Sequence, residues 1–177
     1  MRHWLVSDAT PPSTPWVHEA VVAGDSAIAG KGLFARTALE DGTVVIRVGG
    51  RLVGTAELRR LIETSEHYVD TVTVFEDAHL VLPPATAVHY GNHSCDPNLW
   101  HVDAYEIATR RPVPAGEELT MDYATQTGAP GFSMLCRCGA ADCRGEVTSE
   151  DWRRADLQAR YAGHWVPALG ERISRGG

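Results

Sequence analysis

Asn92-His93-Ser94-Cys95-Asp96-Pro97-Asn98 is the stretch around which the rest of the sequence is organised. Asn92 and Asn98 carry side-chain amides, which both donate and accept hydrogen bonds. Asp96-Pro97 excludes a regular helix or a central strand at this point, because proline has no backbone N–H. Cys95 can ligate a metal only if other soft ligands reach it from elsewhere in the chain.

Three further cysteines lie downstream with the spacing Cys-x-Cys-x4-Cys, at Cys136, Cys138 and Cys143. With Cys95 they are all the cysteines of the protein, and four thiolates complete a closed tetrahedral zinc site. The alternatives are four unpaired buried thiols, or disulfides, although neighbours in Cys-x-Cys are poorly placed to bridge. We therefore predict one Zn²⁺ per chain, bound by these four cysteines.

Two more segments complete an ordered series of motifs. Gly30-Lys31-Gly32-Leu33-Phe34-Ala35 precedes the central stretch, and Gly116-Glu117-Glu118-Leu119-Thr120-Met121-Asp122-Tyr123 lies between it and the later cysteines. In this order and spacing, the sequence resembles a SET-domain protein-lysine methyltransferase with a post-SET zinc segment, of the compact bacterial type. The resemblance covers residues 17–145.

The resemblance implies a mainly β (α+β) architecture. This is the SET-type β-clip fold with a knot-like core, a zinc-bound post-SET tail and a C-terminal helix. In that fold the segment 92–95 passes through a loop near the strand at 116–120. The implied organisation is a flexible proline-rich arm at 1–16, a SET domain at 17–124, a post-SET zinc segment at 125–146 and a C-terminal helical extension at 147–177.

The same resemblance implies S-adenosylmethionine as methyl donor. The expected cofactor-binding residues are Gly30, Lys31, Gly32, Leu33, Asn92, His93, Tyr123 and Leu135, the last of these against the adenine. Tyr123 is the expected catalytic residue, because a phenol at the transfer passage can orient the methyl group and the amine while staying protonated at neutral pH. On its own, Gly-x-Gly would be interpreted as a tight β-turn.

The predicted function is transfer of a methyl group from S-adenosylmethionine to a lysine amine of a protein substrate. Two alternatives stay open at this point. The first is a methyltransferase acting on a small-molecule amine, and the second is a non-catalytic, zinc-containing interaction module with the same fold. Retention of the glycine loop, the central motif and Tyr123 together disfavours the interaction module.

The sequence departs from the family pattern at three places. Arg47-Val48-Gly49 lacks a second active-site tyrosine, which Tyr68 or Tyr90 can replace. His89-Tyr90 stands where the family usually has Arg-Phe, and Met121 stands two residues before Tyr123, where it usually has Phe or Tyr. The histidines outside the central motif show no metal-binding spacing and are interpreted as surface or core residues; they include His67, His79, His89, His101 and His164.

The composition of the chain bears on its size class, its binding partners and its location. A chain of 177 residues with 44% hydrophobic and 22% charged residues is typical of one globular domain. The net charge of −7 argues against nucleic-acid binding and is compatible with a basic protein or peptide substrate, although it also simply favours solubility. Neither a membrane span nor a secretory signal is visible, so we expect a cytoplasmic protein, where cysteines more often bind metal than form disulfides.

Local patterns predict the secondary structure. Alternating and β-branched residues predict strands at Val17–Val22, Tyr68–Phe75, His79–Leu82, Leu99–Val102, Tyr105–Thr109 and Leu119–Met121. Val44–Val48 and Arg51–Val53 flank Gly49-Gly50 and predict a hairpin. Helical spacing predicts a helix from Ala56 to Glu63, capped by Thr55, and a terminal helix from Glu150 to Tyr161.

Overall fold

The structure, a computed structural model, describes residues 10–128 and 131–176. The strands of this part of the chain are β1 (Trp16–Val17), β2 (Val21–Asp25), β3 (Lys31–Ala35), β4 (Val44–Arg47), β5 (Arg51–Val53), β6 (Thr71–Phe75), β7 (Ala78–Val81), β8 (Asn92–His93), β9 (Leu99–His101), β10 (Glu106–Thr109), β11 (Glu118–Met121), β12 (Ser133–Leu135) and β13 (Glu146–Thr148). The α-helices are α1 (Thr55–Thr64), α2 (Ala155–Arg160) and α3 (Pro167–Ser174). Short 3-10 turns span Ala87–Tyr90, Tyr123–Thr125 and Asp151–Arg153.

The strands form small sheets rather than one large one. Two sheets have four strands, in the orders β1-β4-β10-β9 and β2-β3-β11-β8, a third has the order β5-β7-β6, and β12 pairs with β13. The mainly β class predicted from the sequence is therefore confirmed. No helix in residues 10–128 and 131–176 combines the length and hydropathy that crossing a bilayer requires.

The central motif lies beside β11, as the resemblance implied. Strand β8 runs parallel to β11, with Asn92 opposite Thr120 and His93 opposite Met121. After the breakers Asp96-Pro97, the Asn98 side chain continues this contact: its Nδ2 donates to the Glu118 carbonyl at 2.7 Å and its Oδ1 accepts from Thr120 N at 2.9 Å. A side-chain amide thus satisfies the backbone of β11 where the chain itself turns away.

The predicted hairpin around Gly49-Gly50 is wrong. Strand β4 pairs with β1 and β10, whereas β5 pairs with β7 in another sheet. Other segments approach the two glycines too closely for a side chain: a Cβ on Gly49 would lie 2.6 Å from the Thr14 carbonyl carbon, and one on Gly50 would lie 2.2 Å from the Val81 carbonyl oxygen. Close backbone contact, rather than a turn, explains this pair.

Three other local predictions also need correction. Residues 17–22 are not one strand, because the chain turns between β1 and β2, which lie in different sheets. Helix α1 occurs where predicted, but Gly54 is its N-cap, and the Thr55 hydroxyl bonds His79 instead. The terminal helix at 150–161 is divided, because Arg154 has an extended backbone between the 3-10 turn and α2.

The C-terminal segment belongs to the main hydrophobic core. Trp152, Leu157 and Tyr161, predicted to share one helical face, are all buried. They belong to the same buried cluster as Leu33 of β3 and Leu119 of β11. Helix α3 adds Leu169, which is fully buried. Burial of side chains of this size, each worth about 2 kcal/mol, fixes the C-terminal segment against the strands that carry the central motif.

Candidate active site and metal centre

The four cysteines converge in the structure. Their Sγ atoms all lie within 4.8 Å of one another, and those of Cys95 and Cys136 are 3.8 Å apart. Tetrahedral ligation at a Zn–S distance of about 2.3 Å separates neighbouring sulfurs by about 3.8 Å, so the cluster has suitable dimensions for zinc. All four cysteines are free, so the disulfide alternative is not realised.

Backbone N–H groups surround the sulfur atoms. Cys95 N donates to Cys138 Sγ, and Arg144 N donates to Cys95 Sγ, both at 3.4 Å. Burial raises the pKa of the Cys95 thiol to about 11, whereas at Cys138 burial is outweighed by the N–H groups of Cys95 and Ala140, which lower the pKa to about 7. Binding of a divalent cation by this set would release the remaining thiol protons.

A buried ion pair adjoins the cysteine cluster. Arg144, which follows the last cysteine, forms two hydrogen bonds to the Asp122 carboxylate, at 2.6 and 2.7 Å. Tyr161 O–H and Ala124 N–H also donate to Asp122, at 3.0 Å each, and Arg144 Nε reaches Asp151 at 3.1 Å. Burial alone would lower the pKa of Arg144, but the bonds to Asp122 reverse this and raise it. The pair connects the cysteine cluster to the residue before Tyr123.

His93 joins Tyr123 to the cysteine cluster. Its Nδ1 accepts a hydrogen bond from Tyr123 N at 3.1 Å, and its Nε2 lies 3.4 Å from Cys95 Sγ. Burial lowers the pKa of His93, so the ring is neutral at pH 7. Because Nδ1 is the acceptor, Nε2 carries the proton and faces the sulfur.

The Asn92 amide holds the glycine-containing loop against β11. Its Nδ2 lies 2.9 Å from the Lys31 carbonyl, 3.1 Å from Ser26 Oγ and 2.8 Å from Glu118 Oε1. Gly32 leaves room for this cluster, because a Cβ there would lie 2.3 Å from the Glu118 carboxylate and would force that side chain to shift. The predicted cofactor contact of Asn92 thus coincides with a second role, anchoring the loop.

The other predicted cofactor residues differ in accessibility. Gly30 has a φ of +49° with open space around its Cα, which suits close approach by a ligand. Lys31 is exposed and paired with Asp25 at 2.8 Å, whereas the Leu33 side chain is fully buried in the core. Leu135 lies in β12 and is 74% exposed, so its side chain is free to contact a ligand.

Tyr123 lines a cavity of about 180 Å³. Its hydroxyl donates to the Gly91 carbonyl at 2.7 Å, and burial raises the pKa of the phenol, which keeps it neutral. Met121 also lines the cavity. Of the two candidates for a second tyrosine, Tyr68 lines the cavity and Tyr90 does not.

A family model described as SET domain matches residues 30–124, which is more than half of the chain. The chain belongs to the SET-domain family. The Histone-lysine N-methyltransferase 2D of Homo sapiens is 32% identical over 145 residues, covering 74% of this chain and 2% of that protein. The Histone-lysine N-methyltransferase 2B of Homo sapiens is 30% identical over 141 residues, covering 71% of this chain and 5% of that protein.

The solved structures agree with this membership. The methyltransferase domain of human Histone-lysine N-methyltransferase SETMAR superposes with a TM-score of 0.59 at 19% identity, over 73% of this chain and 57% of that one. At this identity the likeness establishes the fold. The predicted SET-type architecture is therefore confirmed, the four cysteines come together as predicted, and α2 lies within the stretch predicted as a C-terminal helix.

The SET-domain motifs did not reveal every residue of the site. Asp70 and His89 line the same cavity as Tyr123, and the Asp122–Arg144 pair joins the residue before Tyr123 to the residue after Cys143. Asp122 lies within the motif that ends at Tyr123, although no role was assigned to it, and Arg144 directly follows Cys143. The position of these two charged residues, within or directly beside a motif, was the signal in the sequence that could have indicated the pair. No sequence pattern marks Asp70.

Proposed function

We propose that this protein transfers a methyl group from S-adenosylmethionine to the side-chain amine of a lysine in a protein substrate. The observation that carries the proposal is the cavity lined by Tyr123 and Met121, in a chain whose Asn92 anchors the glycine-containing loop. The relatives named histone-lysine methyltransferases support the same reaction class. Because the chain spans only 2% to 5% of their length, their substrates are not carried over.

The residues of this chain would position the acceptor amine and hold the Tyr123 proton away from it. S-adenosylmethionine, when bound, supplies an electrophilic methyl group on a sulfonium, and the uncharged amine attacks it in line while the C–S bond breaks. The Tyr123 proton is committed to Gly91, so the phenol oxygen is available as an acceptor for an amine N–H. The thioether of Met121 cannot donate a hydrogen bond to the amine. Its flexible side chain can also yield space to an amine that already carries a methyl group.

The cysteine cluster would bind zinc through Cys95, Cys136, Cys138 and Cys143. The paired strands β12 and β13 flank the three later cysteines, and Leu135 ends β12 immediately before the first of them. Zinc would therefore hold this tail, including the exposed Leu135, next to the site that receives the cofactor. The metal has a structural role in this proposal, because four thiolates leave no open coordination position.

The proposed substrate is a protein or peptide, and a basic one would match the net charge of −7. No observation favours a small-molecule amine. Nucleic-acid binding is not part of the proposal, and a cytoplasmic location stays a prediction, as do the domain boundaries at residues 16, 124 and 146.

A labelled-methyl assay tests the proposal. Purified, zinc-replete protein is incubated with methyl-tritiated S-adenosylmethionine and either core histones and a mixed protein lysate, or a metabolite extract. We expect label in protein, at lysine, and loss of most of this label with Tyr123→Phe. Label only in metabolites would support the small-molecule alternative. Absence of cofactor binding by calorimetry would support the interaction module.

A further inference from the structure

An acidic side chain lines the cavity that also contains Tyr123. Asp70 lies immediately before β6, and its backbone carbonyl accepts a hydrogen bond from Leu82 N at 3.1 Å. Its carboxylate Oδ2 lies 2.5 Å from Nδ1 of His89, which also lines the cavity. The side chains are 28% and 23% exposed, so the pair lies where the cavity meets solvent.

The contacts of His89 determine where the protons are. Its Nε2 lies 2.8 Å from the Pro83 carbonyl oxygen, an acceptor only, so Nε2 must carry a proton. A neutral ring would then present the Nδ1 lone pair to the Asp70 carboxylate, which would be repulsive. The 2.5 Å contact therefore requires a proton between the two groups, which His89 Nδ1 donates to the Asp70 carboxylate.

One oxygen of Asp70 stays available. The hydrogen bond to His89 uses Oδ2, and in residues 10–128 and 131–176 no donor lies within hydrogen-bonding distance of Oδ1. The Leu82 bond holds the backbone of Asp70, and the contact with His89 orients its carboxylate. A fixed carboxylate with a free oxygen is a suitable receptor for an alkylammonium ion.

One short turn positions both the His89 ring and the acceptor of the Tyr123 hydroxyl. The 3-10 turn Ala87–Tyr90 carries His89, and the next residue, Gly91, accepts the Tyr123 hydroxyl. After burial, the negative charge of Asp70 is a further cause of the raised pKa of Tyr123, which places the carboxylate within electrostatic reach of the phenol. Asp70, His89 and Tyr123 therefore form one connected wall of the cavity.

We propose that Asp70 is a specificity-determining residue, which binds the acceptor lysine as its ammonium ion at the cavity, and that His89 positions the carboxylate. This proposal rests on the proposed function, because it assigns the substrate-binding group of that reaction. It predicts preference for an acceptor that arrives charged over an uncharged chain of the same length. The proton leaves the ammonium after binding and before methyl transfer, and solvent at the partly exposed carboxylate receives it.

The test uses n-butylammonium, a lysine side chain without its backbone, and n-pentanol as an uncharged control of similar length. Binding is followed by NMR shifts of backbone amides at pH 7, without any turnover. We expect n-butylammonium to perturb residues around Asp70, His89 and Tyr123. Asp70→Asn should weaken n-butylammonium about fivefold or more and leave n-pentanol unchanged.

Asp70→Asn is a conservative probe, because an asparagine Nδ2 can donate to the Nδ1 of a neutral His89 and preserve the geometry. Glu57→Gln is the matched control, since it removes one negative charge on the surface of α1, where Glu57 pairs with Arg51. Equal n-butylammonium affinity in wild type and Asp70→Asn, or shifts that map elsewhere, would overturn the proposal. Intact ammonium binding without methyl transfer would instead disprove the proposed function alone.

Discussion

Arg144→Met should destabilise the protein strongly, although Arg144 does not ligate the proposed zinc. The substitution keeps the length of the side chain but removes the guanidinium from Asp122, and the two side chains are only 5% and 0% exposed. Loss of one partner of a buried pair costs about 3–5 kcal/mol. Tyr161 and Ala124 still donate to the carboxylate, so we expect the lower value, about 3 kcal/mol.

For a domain of this size, each kcal/mol lowers the midpoint of thermal unfolding by about 2–4 °C, so Arg144→Met should lower it by about 6–12 °C. Urea unfolding of zinc-saturated protein measures the free energy directly. Arg153→Met is the control, because Arg153 forms an exposed pair with Glu150, for which at most about 1 kcal/mol is expected.

A second variant distinguishes the cost of leaving the Asp122 charge unpaired from the cost of lost side-chain packing. Asp122→Asn combined with Arg144→Met removes both charges, so it should recover part of the stability lost by Arg144→Met alone. The reasoning fails if Arg144→Met changes the free energy of unfolding by less than about 1 kcal/mol, or if the double variant is as unstable as the sum of the single ones.

Four further outcomes are expected. Cys143→Ser should abolish stoichiometric zinc in elemental analysis and weaken S-adenosylmethionine binding by calorimetry, because the tail loses an anchor. Tyr123→Phe should fold normally but lose most single-turnover methyl transfer; an undiminished rate would contradict its role. Wild-type product should proceed past monomethyl-lysine, and Met121→Tyr should shift it toward the monomethyl form, as checked by mass spectrometry. Burial lowers the pKa of His101 to about 4, so the unfolded state binds its proton first, and stability should fall by about 3 kcal/mol as the pH drops from about 6.5 to 4. His101→Asn should remove this part of the pH dependence of urea unfolding.

The motif residues were predictable because their residue types and spacing are visible in the sequence itself. Cysteine spacing predicted the ligand set, and the resemblance placed the segment 92–95 beside β11. The predicted hairpin failed because the neighbours of Gly49 and Gly50 come from Thr14 and Val81, which are distant in sequence. Close approach and tight turning both favour glycine, and the sequence alone does not distinguish them.

Charged side chains were the other part that sequence reasoning missed. Asp122 and Arg144 are separated by 22 positions, and isolated charges usually indicate exposed positions. Their burial becomes evident only when the cysteine segment packs on the end of β11. Tyr68 and Asp70 reach the cavity for a similar reason, because the segment that carries them packs against the turn at 87–90, a tertiary contact without a sequence pattern.

The parallel contact between β8 and β11 makes the site intolerant of insertion. Asn92 bonds the glycine loop, His93 bonds Tyr123, and Cys95 bears a sulfur of the metal cluster, all within four consecutive positions. Successive strand residues face opposite sides, so one added residue before Asn92 would exchange those sides. The cofactor loop, the tyrosine and the metal would then lose their partners together, and such a variant would lack all three functions rather than a fraction of each.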